Sequence, residues 1–350
     1  MEKLPGFSGL LYIFGVIKTN LRWVVLLACL ACAGNFARAQ SYQYFRIGNK
    51  QDVQTRPVAG VAMMGGGKDL DEAFRWLCEK GNGGDFLILR ARGDDDYNSY
   101  VNGLCKANSV ATLIIPDRGA AEDPAVAEII RKAEVVFIAG GDQANYIRGW
   151  KGTPVEMALN DGIAAGKPIG GTSAGLAVEG EFVYGAMEDK PDDKDLASAD
   201  VLANPYMERV TLVRDFLKIP HLENLITDSH FAKRDRMGRT LGFLARIMKD
   251  GWSASPREVA IDEKSAVLVE ADGKAVVVGG GESAYFLRPT HAPDVCEQGV
   301  PLTFRGVSVF RVPAGGHFDL TSWAGEGWTV YSLSVERGKI VSTQAGGGIY

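Results

Sequence analysis

Cysteine and histidine are scarce in this chain of 350 residues, which holds five of the first and four of the second. Cys29 and Cys32 lie in an apolar stretch near the N-terminus, leaving Cys78, Cys105 and Cys296, which can form one disulfide at most. A disulfide framework is therefore excluded. No Cys-x-x-Cys or Cys/His cluster holds these three, so no metal site is expected and each reads as a buried structural cysteine. An excess of basic charge is missing too: 38 Lys+Arg face 43 Asp+Glu, a net charge of −5. Without a basic stripe, nucleic acid is not an expected partner. Internal repeats and low-complexity tracts are absent. A Gly-x-Gly-x-x-Gly register is absent as well, which argues against a dinucleotide site, and no cofactor is expected.

The N-terminus has the features of a secretory leader. Lys18 and Arg22 precede the apolar run from Trp23 to Ala33, and Ala37-Arg38-Ala39 supplies a small-x-small cleavage site. The run is short for a membrane span. The expectation is a periplasmic or secreted protein cleaved after Ala39, touching the membrane only through its leader. An uncleaved anchor, or lipid attachment at Cys29, stays open, although Leu27 is an awkward residue before such a site.

From about residue 57 short apolar runs alternate with amphipathic stretches. Val58 to Met64, Asp85 to Arg90, Ala111 to Ile115 and Glu134 to Ile138 read as strands, with helices at Asp69 to Lys80, Tyr97 to Ala107 and Pro124 to Ala133. That alternation predicts an α/β fold with a doubly wound, mostly parallel sheet. Ligands then sit beyond the carboxyl ends of the strands, where glycine-rich loops follow at Gly65-Gly66-Gly67, Gly140-Gly141 and Gly171-Thr172-Ser173-Ala174-Gly175. A charged, proline-bearing loop covers 188–203. A helix is expected from Lys233 to Met248, and from residue 259 the chain turns β-rich, with a hairpin turn at Ala271 to Lys274. The domain reading is leader 1–39, lead-in 40–56, catalytic α/β domain 57–270 and β-rich C-terminal extension 271–350.

Gly-x-Ser-x-Gly lets a strand turn sharply into a helix and exposes the serine, so Ser173 is the candidate nucleophile. A serine hydroxyl needs a base. Of His221, His230, His291 and His317, His230 fits best, because it follows the strand-like Leu225-Ile226-Thr227 and precedes a helix. The chain order Ser, acid, His places the third member between residues 179 and 215, where Glu179, Glu181, Glu188 and Asp189 are available. Asp189 and Glu188 lead, and the choice between them stays open. Ala174 and Gly141 N–H groups are the expected oxyanion donors.

Four pieces carry a resemblance: Phe137-Ile138-Ala139-Gly140-Gly141-Asp142-Gln143, Gly170-Gly171-Thr172-Ser173-Ala174-Gly175, Thr227-Asp228-Ser229-His230-Phe231-Ala232-Lys233-Arg234, and Ala260-Ile261-Asp262-Glu263-Lys264-Ser265-Ala266. In this order they make the chain similar to the cyanophycinase and aspartyl dipeptidase (dipeptidase E) family of serine peptidases, on the cyanophycinase-like side. The resemblance implies a fold like that of the class I glutamine amidotransferases (flavodoxin-like). It also implies substrate-pocket roles for Gln143, Asp228, Arg234, Arg236 and Arg239, since guanidinium groups pair with carboxylates. Three departures stand out. The loop around Asp192 is expanded, Ser229 stands where a glutamine is typical, and the tail after about residue 270 has no counterpart in the smaller dipeptidases.

The expected function is an exported, metal-independent serine peptidase or isopeptidase that cleaves a peptide or β-aspartyl bond through an acyl-enzyme on Ser173. Its partner would be a peptide or aspartyl-dipeptide substrate, and a homodimer is compatible with the sequence. An α/β-hydrolase-like esterase and a non-catalytic amidotransferase-like binding domain are the alternatives left open.

Overall fold

Apolar runs too regular to face water on either side become the inner strands of two sheets. The computed structural model of the chain describes residue 1 and residues 41–350 other than 191, 192 and 282. The expected leader and its cleavage site lie outside the described residues.

In chain order the first half runs β1 (Gln43–Gly48), β2 (Gly60–Met64), α1 (Asp71–Lys80), β3 (Asp85–Arg90), α2 (Asp96–Leu104), β4 (Ser109–Ile114), α3 (Arg118–Ala121), α4 (Pro124–Lys132), β5 (Val135–Ile138), α5 (Gln143–Trp150), α6 (Pro154–Ala164), β6 (Ile169–Thr172) and α7 (Ala174–Ala177). The second half runs β7 (Phe182–Tyr184), α8 (Ser198–Ala203), β8 (Leu212–Arg214), β9 (Leu225–Asp228), α9 (Met237–Lys249), β10 (Arg257–Ile261), β11 (Ser265–Glu270), β12 (Lys274–Gly279), β13 (Ala284–Pro289), β14 (Phe304–Val312), β15 (His317–Asp319), β16 (Ala324–Glu326), β17 (Thr329–Glu336) and β18 (Lys339–Ser342). Helix starts follow local chemistry. Asp123 accepts from Ala125 N–H at 3.0 Å and Thr153 from Val155 N–H at 3.2 Å, each followed by a proline whose missing N–H costs nothing there.

The ten-stranded sheet has the order β1-β4-β3-β5-β6-β2-β11-β12-β15-β16. Its centre, β4-β3-β5-β6-β2, is parallel, as the alternation of strands and helices predicts. Side chains alternate across this sheet. Ala62, Met64, Phe86 and Ile88 pack with Phe74 and Leu77 of α1 and Val101 of α2. Val61, Met63, Leu87 and Leu89 pack on the other face with Val126, Ile130, Ile147 and Leu159 of α4, α5 and α6.

The remaining strands form a second sheet of eight, in the order β18-β17-β14-β13-β10-β9-β7-β8, parallel only at β7, β9 and β10. One sheet was expected, and the difference has a physical cause: an apolar run shows that a strand is buried but does not name its partner. The two sheets share a core, since Val259, Ile261 and Phe286 belong to the same apolar cluster as Val61, Met63 and Val267. The segment after residue 270 is woven into both, β12 pairing with β11 and β13 with β10.

Cys78 and Cys105 form a disulfide that ties α1 to the end of α2, with Cα atoms 5.8 Å apart. This is the one disulfide that the sequence allowed, and the expectation of a buried structural cysteine is corrected at these two positions, which are half-buried. Cys296 is free and buried, as expected.

Candidate active site

The site lies where the carboxyl ends of the inner strands of both sheets meet. β6 ends at Thr172 beside Met64 of β2, and the chain then reverses at Ser173 with φ 53° and ψ −110°. The left-handed region is costly for a residue with a side chain, and such strain is typical of a nucleophile elbow. Two glycines make the turn possible. A Cβ at Gly175 would collide with the Ile138 carbonyl, and one at Gly171 would stand 2.5 Å from the Gly175 carbonyl carbon.

Ser173 Oγ lies 2.7 Å from His230 Nε2. His230 is 6% exposed, and its Nδ1 lies 2.7 Å from Glu263 Oε1. Serine, imidazole and carboxylate thus form one hydrogen-bonded chain. Burial lowers the His230 pKa from its ordinary value, Glu263 opposes that, and the neighbouring Arg234 and Arg236 cations add to the lowering. The imidazole is therefore neutral near pH 7, with Nε2 free to take the serine proton. Glu263 is held below the ordinary carboxylate range, chiefly by the hydrogen bond from His230.

The end of β2 and the loop after it hold Ser173, His230 and Lys264, the neighbour of Glu263, by consecutive carbonyls. Met64 C=O accepts from Ser173 N–H at 3.1 Å, Gly65 C=O from His230 N–H at 2.8 Å, and Gly66 C=O from Lys264 N–H at 3.0 Å. Gly66 has φ 92°, and a Cβ there would stand 2.5 Å from His230 Cε1. Of the three glycine loops expected to converge, this one is a backbone cradle for the other parts.

The acid is a correction to the sequence reading. Asp189 accepts from Arg209 Nε at 2.6 Å and from Tyr184 Oη at 3.2 Å, and Glu188 is exposed. Neither is hydrogen-bonded to the imidazole. Glu263 comes after the histidine, in the turn between β10 and β11 that joins the two sheets, so the assumed order Ser, acid, His looked in the wrong segment. Its signal was present in the piece Asp262-Glu263-Lys264, which carried the resemblance but no role.

Gly141 and Ala174 both line the cavity at Ser173, which has a volume of about 650 Å³. A Cβ on Gly140 would lie 3.5 Å from Ser173 Cβ, so the loop after β5 abuts the serine. Tyr146 Oη braces that loop by donating to Ala139 C=O at 2.8 Å and Gly140 C=O at 3.2 Å.

Gln143, Arg234, Arg236 and Arg239 line the same cavity; Asp228 lies beneath its wall, 3% exposed. Arg239 places Nη2 at 2.5 Å and Nε at 2.8 Å from the two Asp228 oxygens, and Arg236 Nη1 is 3.0 Å from Asp228 Oδ1. Asp195, from the expanded loop, takes the outer edge of Arg236 at 2.7 and 2.9 Å. Burial opposes ionisation of Asp228, but the Arg239 and Arg236 charges outweigh it and hold the carboxyl below its ordinary range. The Asp228 expectation is corrected accordingly: it is an internal counter-ion without access to the cavity. The forks of Arg236 and Arg239 are largely committed to Asp228 and Asp195. Arg234 differs, being exposed with no carboxylate within ion-pair distance among the described residues. Gln143 is half-buried, its amide 3.5 Å from Tyr184 C=O.

Among the described residues no group of three or more His, Cys, Asp or Glu is placed to hold a metal ion, and no helix is long and apolar enough to cross a membrane.

The family model described as Peptidase family S51 matches residues 94–246, a stretch that includes Ser173 and His230. A protein of Synechococcus elongatus named cyanophycinase is 30% identical over 234 residues, covering 63% of this chain and 66% of that protein. One of the same name from Trichormus variabilis is 28% identical over 221 residues, covering 61% and 66%. The chain thus spans a little under two thirds of the length of these relatives. A crystal structure of a peptidase from an acI-B1 Actinobacterium aligns at 18% identity with a TM-score of 0.49, covering 76% of this chain and 98% of that one.

Proposed function

We propose that this chain, whose residues 94–246 match the model of peptidase family S51, is a member of that family and an exported serine peptidase or isopeptidase that hydrolyses a peptide or β-aspartyl bond beside an acidic residue. The carrying observation is the chain of two 2.7 Å contacts from Ser173 through His230 to Glu263. Ser173 Oγ attacks the scissile carbonyl carbon while its proton passes to His230 Nε2. The carbonyl oxygen becomes an oxyanion facing the N–H groups of Gly141 and Ala174. Collapse of this intermediate breaks the C–N bond, and the imidazolium gives its proton to the leaving amine. Water, deprotonated by the same imidazole, then hydrolyses the acyl-enzyme. Glu263 keeps the Nδ1–H oriented and stabilises the imidazolium at each stage.

Arg234 supports the acidic preference, as a guanidinium at the cavity with no carboxylate partner of its own among the described residues. The cyanophycinase relatives support the β-aspartyl option. Helices on both faces of the parallel centre support the amidotransferase-like, doubly wound reading of the fold. The Cys78–Cys105 disulfide supports export, because such bonds persist in oxidising compartments. The test compares wild type with Ser173→Ala on β-aspartyl dipeptides, α-aspartyl dipeptides and simple esters, alongside labelling by a fluorophosphonate. Wild type should label and cleave the aspartyl substrates, and the variant should do neither while keeping its melting temperature. Retained hydrolysis in the variant would overturn the assignment, and turnover of esters alone would favour an esterase.

A further inference from the structure

The segment carrying His230 is not a regular element. Residues 229–236 form a turn between β9 and α9, and the helix expected from Lys233 starts only at Met237. Its N-cap position falls to Arg236, whose side chain makes no capping hydrogen bond. Arginine has no acceptor to offer, so the N–H groups of the first turn need acceptors from elsewhere.

Two distant segments supply them. Ser198 Oγ accepts from Gly238 N–H at 3.1 Å and Arg239 N–H at 3.2 Å. Tyr350 Oη accepts from Met237 N–H at 2.9 Å and donates to Asp235 Oδ1 at 3.0 Å. The serine also donates to Asp235 C=O, so both hydroxyls bind the turn as well as the helix. The Tyr350 ring stands edge-on to Phe231, the residue after His230, with centroids 5.7 Å apart, and against Tyr285 at 6.0 Å. Tyr331 Oη donates to Ile349 C=O at 2.9 Å and fixes the approach of this tail. On the other side, Gly238 allows α8 to come close, since a Cβ there would stand 2.6 Å from Ser198 Cβ.

We propose that Tyr350 and Ser198 are positioning residues that cap α9 from outside and thereby hold the His230 turn in its reactive geometry. The inference rests on the peptidase reading above for its catalytic consequence. It assigns a task to two of the three departures from the family pattern: the expanded loop contributes Ser198 and the C-terminal extension contributes Tyr350. Neither residue lines the cavity. Their effect reaches the reaction only through the turn.

The test uses the whole chain with Tyr350→Phe, which keeps the ring and removes the hydroxyl, and Ser198→Ala as a second variant. Amide hydrogen exchange over residues 230–239 should quicken in both. kcat should fall about fivefold with KM little changed, the rate equivalent of one lost cap of about 1 kcal/mol. The acid limb of the kcat/KM profile should shift, because the pKa of His230 depends on its enclosure. Unchanged exchange would overturn the proposal, as would a lower melting temperature accompanied by wild-type kcat and an unmoved acid limb. Failure of wild type to label with the fluorophosphonate would instead sink the peptidase reading. Wild-type labelling with indifferent variants cannot be confused with that result.

Discussion

At the scale of single residues, Glu263 is the side chain whose role depends most on where the fold carries it. It sits in a turn between strands of different sheets, while Ser173 and His230 each follow a strand of one. A carboxylate accepting Nδ1–H fixes the tautomer that leaves Nε2 as the acceptor, and it favours the imidazolium formed when serine gives up its proton. Glu263→Gln should therefore lower kcat by roughly 10²- to 10⁴-fold, whereas Asp189→Asn, altering a carboxylate bound to Arg209, should leave kcat near wild type. The pH dependence has a definite sign. Activity requires neutral His230, whose pKa burial and the two arginines lower, so the acid limb of wild type should fall below the ordinary histidine value of about 6.5. Glu263 opposes that lowering, so the residual activity of Glu263→Gln should have its acid limb displaced further downward. An upward displacement, or a tenfold larger loss in Asp189→Asn than in Glu263→Gln, would contradict the assignment.

At the scale of elements, the elbow shows what was legible in the chain and what was not. Gly171, Ser173 and Gly175 announce a strand–turn–helix because the spacing itself is the signal of a tight turn, in which Gly171 admits the backbone of Gly175 and Gly175 admits the Ile138 carbonyl of β5. His230 was legible for a similar reason, standing between an apolar run and a helical pattern. Glu263 required knowing which strand lies beside which, and pairing partners far apart in sequence leave no local mark. Behind the elbow lies a further consequence of burial. Glu179 follows α7, is fully buried, and neither carboxylate oxygen has a hydrogen-bond partner among the described residues. Burial pushes its pKa well above the ordinary carboxylate value. A raised carboxyl pKa contributes no penalty below the unfolded-state value. The penalty grows as pH rises past that value, because the unfolded chain then releases a proton that the folded one keeps. Glu179→Gln should therefore melt close to wild type at pH 4 and higher at pH 8, by a margin of about 1–3 kcal/mol in stability. Equal melting temperatures at pH 8 would show that Glu179 finds compensation elsewhere.

At the scale of the whole molecule, the two sheets meet at one core, and the disulfide staples the helical layer over one face of the first. Cys78 lies in α1 and Cys105 just beyond α2, 27 residues apart in sequence, and both helices press Phe74, Leu77 and Val101 onto the sheet. Closing a loop of that length restricts the unfolded chain by about 3.5 kcal/mol. Neither cysteine lines the cavity, so the bond should act on stability and not on the reaction. The double variant Cys78→Ser, Cys105→Ser should melt several degrees lower while retaining wild-type kcat at 25 °C. Wild type kept in reductant should melt at the variant's temperature, and the variant should ignore the reductant. Protein made in a reducing compartment should start at the lower midpoint and rise on oxidation, which links the bond to the proposed export: the full stability would be reached only outside the cytosol. A midpoint indifferent to reductant would remove the disulfide as support for export without touching Ser173, His230 and Glu263, whose arrangement depends on the strand ends and not on the staple.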